Sequence, residues 1–194
     1  MKRSRNPELK RKKIIDATNK ILKEGGYFTK FSLDNVAREA GVSKGGLMHH
    51  FASKDALLRA AAQEAIMQFE ARLDAQMAAD TGARQGKMSR AYVEVVLGEG
   101  ATHQAELSPV LLGYLNSAET PNTPNRFQAW QDRSEQDGLD SITATIVRLA
   151  LDGIIYTELI DGEPIEAELR EQLRARLLEM LRCPKNGFAN DVGQ

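Results

Sequence analysis

Proline is almost missing from the first half of this chain, where only Pro7 precedes residue 109, and alternating Val/Ile-rich runs are missing throughout. Together these absences favour helices over sheet. Cysteine occurs once, as Cys183, which excludes an internal disulfide framework, and no C-x-x-C spacing offers a structural zinc site. No apolar run approaches the roughly 18 to 20 residues of a membrane span, and the basic N-terminus leads into a charged helix instead of an apolar signal core. The expectation is a soluble, cytoplasmic protein that makes no use of a membrane. Also absent are a Ser/His/Asp grouping, a phosphate-binding glycine loop and a paired-carboxylate motif, which argues against an enzyme and implies no cofactor.

What is present is enough for a buried core: 194 residues, 42% hydrophobic and 27% charged, the size of one compact unit or two small ones. The formal net charge of −1 conceals a division of labour. Residues 1 to 60 carry 14 Lys and Arg against 6 Asp and Glu, a net of +8, whereas residues 61 to 194 carry 12 against 21, a net of −9. A basic first third on an acidic remainder suggests a polyanion-binding module joined to a part that does not touch the polyanion.

Hydrophobic spacing predicts a first helix from Glu8, with Leu9, Ile14, Ile15, Ala17, Ile21 and Leu22 on one face and Gly25-Gly26 as its stop. Ser32 is placed to cap a second helix over Leu33 to Ala40, Ser43 a third over Lys44 to His50, and Ser53 a long fourth from Lys54 to about Ala78. Further helices are expected near 86–100, 103–118, 124–136, 139–158 and 166–182, with a loose tail from Pro184. Two short helices joined through glycine form the helix-turn-helix unit, whose second helix enters the major groove of DNA. The packing asks for a small residue at Ala37, a turn at Gly41, and apolar seals at Val36, Val42 and Leu47; all five positions comply.

The run "FSLDNVAREAGVSKGGLMHHFASKDALL", Phe31 to Leu58, resembles the DNA-binding domain of TetR-family transcriptional regulators, as do the basic first helix and the all-helical length. The motif resemblance covers about residues 10 to 60. It implies a homodimer with two N-terminal reading heads on a double-stranded DNA operator, and a C-terminal helical domain whose small-molecule effector releases the DNA. The expected division is a DNA-binding domain over 1–55 and a ligand-binding and dimerisation domain over 56–194.

Physical roles follow for individual residues. Ser43, Lys44 and Gly45 open the third helix, where backbone N–H groups favour phosphate and side chains first meet base edges. Lys54 is placed for another phosphate, and Lys30 and Ser32 for the adjoining backbone. His49 and His50 are potential donors to phosphate or bases, and Phe51 is expected in the core. Hydroxyl-bearing side chains are common in relatives at the positions of Gly46, Met48 and His50; here Gly46 would let the backbone approach DNA closely, and Met48 would meet a thymine methyl. Adjacent helix residues point about 100° apart, so His49 and His50 cannot both reach one metal ion, and no metal site is expected.

In the C-terminal part the candidate effector contacts are Met67, Phe69, Tyr92, Val96, His103, Leu111, Tyr114, Leu115, Phe127 and Trp130, a mixture that favours a neutral or apolar ligand. For the subunit interface the apolar stripes of the last two helices stand out: Ile142, Ile146, Leu149 and Ile155, then Leu169, Leu173, Leu177 and Leu181. An alternative reading is a DNA-binding architectural or adaptor protein whose C-terminal domain binds a protein partner.

Overall fold

A computed structural model describes residues 6–24, 31–98, 132–133, 136–161 and 165–182. Among them are seven helices and no strand: α1 (Pro7–Glu24), α2 (Leu33–Glu39), α3 (Lys44–His50), α4 (Lys54–Ala79), α5 (Lys87–Leu97), α6 (Ser141–Asp161) and α7 (Ala167–Arg182). The expected all-α architecture and the starts of α2, α3 and α4 agree with the sequence reading. The helices expected over 103–118 and most of 124–136 lie outside the described residues. The chain divides into two compact units, with breaks within α4, between Glu70 and Ala71, and near the end of α6, between Tyr156 and Thr157, whereas the sequence-based division at residue 55 follows the end of the head motif.

The first unit, which also takes the end of α6 from Thr157, has as its main body a three-helix head closed by the first part of α4. Asn6 caps α1 by accepting from the N–H groups of Glu8 (3.1 Å) and Leu9 (3.4 Å). Pro7 is therefore the first helical residue and not the one before the helix, a position where its missing N–H leaves nothing unsatisfied. Ser32 accepts from Asn35 N–H (3.2 Å), Ser43 from Gly46 N–H (3.0 Å) and Ser53 from Ala56 N–H (3.0 Å), so three serines start three successive helices. Ile14, Ile15, Leu22, Val36, Ala37, Leu47, Phe51, Leu57, Leu58 and Ala61 share one buried cluster. Ion pairs tie its rim, from Lys20 to Glu39 at 2.6 Å and from Lys12 to Glu64 at 3.9 Å.

The turn between α2 and α3 has a defined chemistry. Gly41 takes φ of +66°, the left-handed region in which a Cβ is strained. Its N–H donates to the Arg38 carbonyl (3.2 Å), and Val42 N–H donates to the Ala37 carbonyl (2.9 Å). That nested pair is the Schellman arrangement, which satisfies the last carbonyls of α2 while swinging the chain into α3. It also turns Val42 back towards the apolar seal, against which it packs half-buried.

In the second unit the segment before α6 clamps the start of α5. The Asp137 carboxylate accepts from Met88 N–H (2.9 Å) and Ser89 N–H (2.8 Å), and its carbonyl accepts from Gly86 N–H (2.8 Å). These are donors that a helix cannot satisfy internally, and their acceptors come here from about fifty residues away. Asp137→Ala is expected to lower stability by about 1–2 kcal/mol and Asp137→Asn by less, since an amide oxygen still accepts one bond; thermal melting of the two variants checks the order. At its other end α5 is gripped by α7. The Arg174 guanidinium forks onto both oxygens of Glu94 (2.9 and 2.8 Å), and the buried Arg170 donates to the Val96 carbonyl (2.8 Å).

Candidate nucleic-acid interface

The third helix is anchored by very little. Of its seven residues only Leu47 is fully buried, and the others turn towards solvent to different degrees. Met48 and His49 are exposed and His50 is half-buried, with the two imidazoles edge to face at 5.7 Å. Ser43, Lys44 and Gly45 are exposed at the start of the helix. Six of the expected DNA-contacting residues thus stand on one short element, next to the half-buried Ser32. Each capping serine uses its oxygen as an acceptor, which leaves the hydroxyl proton available for a phosphate oxygen. Lys30 lies outside the described residues. Phe51, with Arg11 5.1 Å above its ring, closes the helix from below and is buried as expected.

The two lysines assigned to phosphate already have intramolecular partners. Lys44 Nζ lies 3.0 Å from Asp34 Oδ2, joining α3 to the first turn of α2. Lys54 Nζ donates to the Phe31 carbonyl (3.3 Å) and sits 4.9 Å above the Phe31 ring. The sequence reading missed Asp34 and Phe31, because partners ten and twenty-three residues away obey no helical spacing rule.

The glycine doublet separates into two cases. A Cβ on Gly46 would come 3.1 Å from the Ser43 hydroxyl, so a side chain there presses on the cap. A Cβ on Gly45 would meet nothing within 4 Å, and no packing inside the head explains that residue. Alanine at an exposed helical position is more favourable than glycine by up to about 1 kcal/mol. Gly45→Ala is therefore expected to raise the melting temperature and to lower operator affinity; a stabler variant that binds DNA equally well would show that close backbone approach is not what this glycine provides.

Of the expected effector contacts, Tyr92 and Val96 are buried one turn apart on α5, Phe69 is half-buried and Met67 exposed on α4. His103, Leu111, Tyr114, Leu115, Phe127 and Trp130 lie outside the described residues. Tyr92 donates to Asp152 Oδ1 (2.5 Å), whose other oxygen accepts from Arg148 Nη1 (2.7 Å). Burial pushes the Tyr92 phenol well above its ordinary range, and the Asp152 carboxylate adds to the shift. A concavity of about 390 Å³ beside Arg90 and Leu139 shares no residue with the expected effector contacts, and Arg90 is held there by Asp80 and by the Gln85 and Ala83 carbonyls.

Of the residues expected at a subunit interface, Leu177 and Leu181 are buried within the protomer, so they serve its own core. Ile142, Ile146, Leu149 and Leu169 are exposed, and Ile155 and Leu173 are half-buried. Among the described residues no group of three or more His, Cys, Asp or Glu side chains gathers, and no helix is long and apolar enough to cross a membrane.

A compact basic head with a helix-turn-helix, continued by one long helix into a second helical unit, defines a DNA-binding regulator. Residues 14–61 match the family model of bacterial regulatory proteins of the tetR family, and residues 86–182 match that of the tetracyclin repressor-like C-terminal domain. The chain belongs to the TetR family of transcriptional regulators, and it is not an enzyme. It is 27% identical over 169 residues to the HTH-type transcriptional regulator BetI of Proteus mirabilis, spanning 84% of this chain and 82% of that protein. A TetR-family member from Streptomyces coelicolor A3 superposes with a TM-score of 0.60 at 26% identity, over 90% of this chain and 99% of the other. The multidrug binding protein EbrR complexed with imidazole gives 0.56 at 26% identity, over 93% and 94%.

Proposed function

We propose that this regulator is a repressor that binds a palindromic operator as a homodimer and lets go when a small molecule enters its C-terminal unit. The observation that carries the reading is the outward face of α3: a short helix held from beneath by Leu47 that offers Lys44, Gly45, Met48 and His49 to solvent on a head of net positive charge. Such a face matches a major groove lined by phosphate. On an operator whose half-sites lie one helical turn apart, a two-fold pair of heads would hold its recognition helices about 34–36 Å apart. The family of the chain, and the presence among its structural relatives of EbrR with imidazole and with malachite green bound, support a small-molecule effector for the second unit. Release follows if the ligand-bound form favours a different separation of the heads, transmitted along the uninterrupted α4.

The test starts with in vitro selection of duplexes from a random library, followed by footprinting. Two protected half-sites one helical turn apart are expected, with one dimer bound. A panel of neutral apolar and aromatic compounds is then screened for thermal stabilisation and for release of the selected duplex. No selected sequence would overturn the DNA-binding reading. A selected sequence with release by a protein partner alone would replace the small molecule with an adaptor role.

A further inference from the structure

Among the described residues, Met48 is the only large apolar side chain exposed between Leu9 and Met67, and it stands on α3. A single exposed methionine is ordinary on a protein surface. This one is set apart by its neighbours. In a helix a long side chain leans back over the residues three and four before it, which for Met48 are Gly45 and Lys44. Above Gly45 there is open space, since a Cβ there would meet nothing within 4 Å. An apolar side chain thus borders a strip of bare backbone. Only 38% of Met48 is exposed, so most of its surface already rests on the head, and it reaches a base edge only where the backbone itself comes close.

We propose that Met48, with Gly45 giving it room, determines specificity by reading the 5-methyl group of one thymine in each operator half-site, an inference that deepens the DNA-binding reading above and rests on it. In the major groove guanine, adenine and cytosine present hydrogen-bond donors and acceptors, and thymine alone adds a methyl group. A thioether has almost nothing to offer a donor or an acceptor. Laid on any other base edge, Met48 strips water from polar atoms and puts nothing in its place, which is unfavourable. Laid on thymine, it buries a methyl group against carbon and sulfur, which is favourable. Lys44 and His49, the other exposed side chains of α3, have the complementary chemistry, N–H groups that suit phosphates and base acceptors. Met48 is the one exposed side chain of the helix that is apolar, so the thymine preference falls to it.

The experiment uses the whole chain and the duplex selected as above, with each thymine in turn replaced by deoxyuridine, which removes the methyl group and keeps the base pairing. One such replacement per half-site is expected to weaken binding by the native protein about fourfold, the worth of one buried methyl group, and the symmetric pair of replacements about fifteenfold. With Met48→Ala the same replacements are expected to cost nothing, whereas Met48→Leu, still apolar, keeps the effect. Gly45→Ala is expected to shrink it, because a Cβ holds the helix off the base. The two duplexes are compared within each variant by mobility shift at fixed salt, so a general weakening of binding by a substitution cancels. A duplex in which no thymine depends on its methyl group, or a dependence that persists undiminished in Met48→Ala, would overturn the proposal while leaving DNA binding intact. An undiminished effect in Gly45→Ala would overturn the share given to the glycine. Failure to select any duplex would instead refute the reading beneath it.

Discussion

The double variant Ile146→Glu/Leu149→Glu is expected to be a folded monomer with operator affinity reduced by at least about 100-fold. Both side chains are exposed on the protomer, at 48% and 55%, on the same helix as Ile142 at 72% and Tyr156 at 61%. The stripe 142, 146, 149, 153, 156 advances in steps of four, three, four and three, the spacing of a seam between two helices. The inward residues Ala144, Val147 and Leu151 are a separate, buried set. A glutamate at 146 or 149 therefore leaves the core of the protomer untouched. In a two-fold interface the two changes put four carboxylates onto a surface that has to be desolvated. Each displaces apolar burial worth about 1.5–3 kcal/mol and adds a charge. A head cut loose from its twin holds one half-site without the second, and linked binding contributes about 10²–10⁴ in apparent affinity. Sedimentation gives the mass, helical circular dichroism confirms the fold, and mobility shift gives the affinity. A variant that stays dimeric would move the interface away from α6.

The head was legible in the sequence because its signals are local. Serine caps act within three residues, the Gly41 turn within five, and the buried stripes of α1 and α2 repeat at helical spacing, so each could be read without knowing what lay elsewhere. Relations over longer range were not legible. Asp137 caps a helix forty-eight residues upstream, Arg174 finds Glu94 across eighty, and Asp34 intercepts Lys44 across ten. The division of apolar residues between core and exposed stripe was equally hidden. Leu177 and Leu149 look alike in an amphipathic pattern, and only the packing of α7 on α5 shows that the first is already covered. The same ambiguity affects the effector contacts. Tyr92 reads as a polar aromatic that could face a ligand, whereas its hydroxyl is committed to Asp152.

Leu47→Ala is expected to lower stability by about 2–5 kcal/mol and to abolish specific DNA binding below the temperature at which the rest of the protein melts. A seven-residue helix containing two glycines has no stability of its own in water, where even good helix formers need about 12–15 residues. What holds α3 in place is its junctions, the Gly41 turn and the Ser43 cap before it and the buried Phe51 after it, together with one fully buried side chain along its length. Truncating Leu47 removes that anchor and leaves a cavity in the buried cluster that it shares with Val36 and Leu57, which are themselves fully buried and cannot fill it without moving. The reading face then loses its fixed orientation at a temperature at which the second unit is expected to be still folded. Leu47→Met keeps the volume and should cost less than about 1.5 kcal/mol while retaining binding. Hydrogen exchange resolved by residue separates the outcomes: rapid exchange over residues 44–50 with the rest protected is expected, and uniform weakening of the whole chain would show that α3 is held by more than this one leucine.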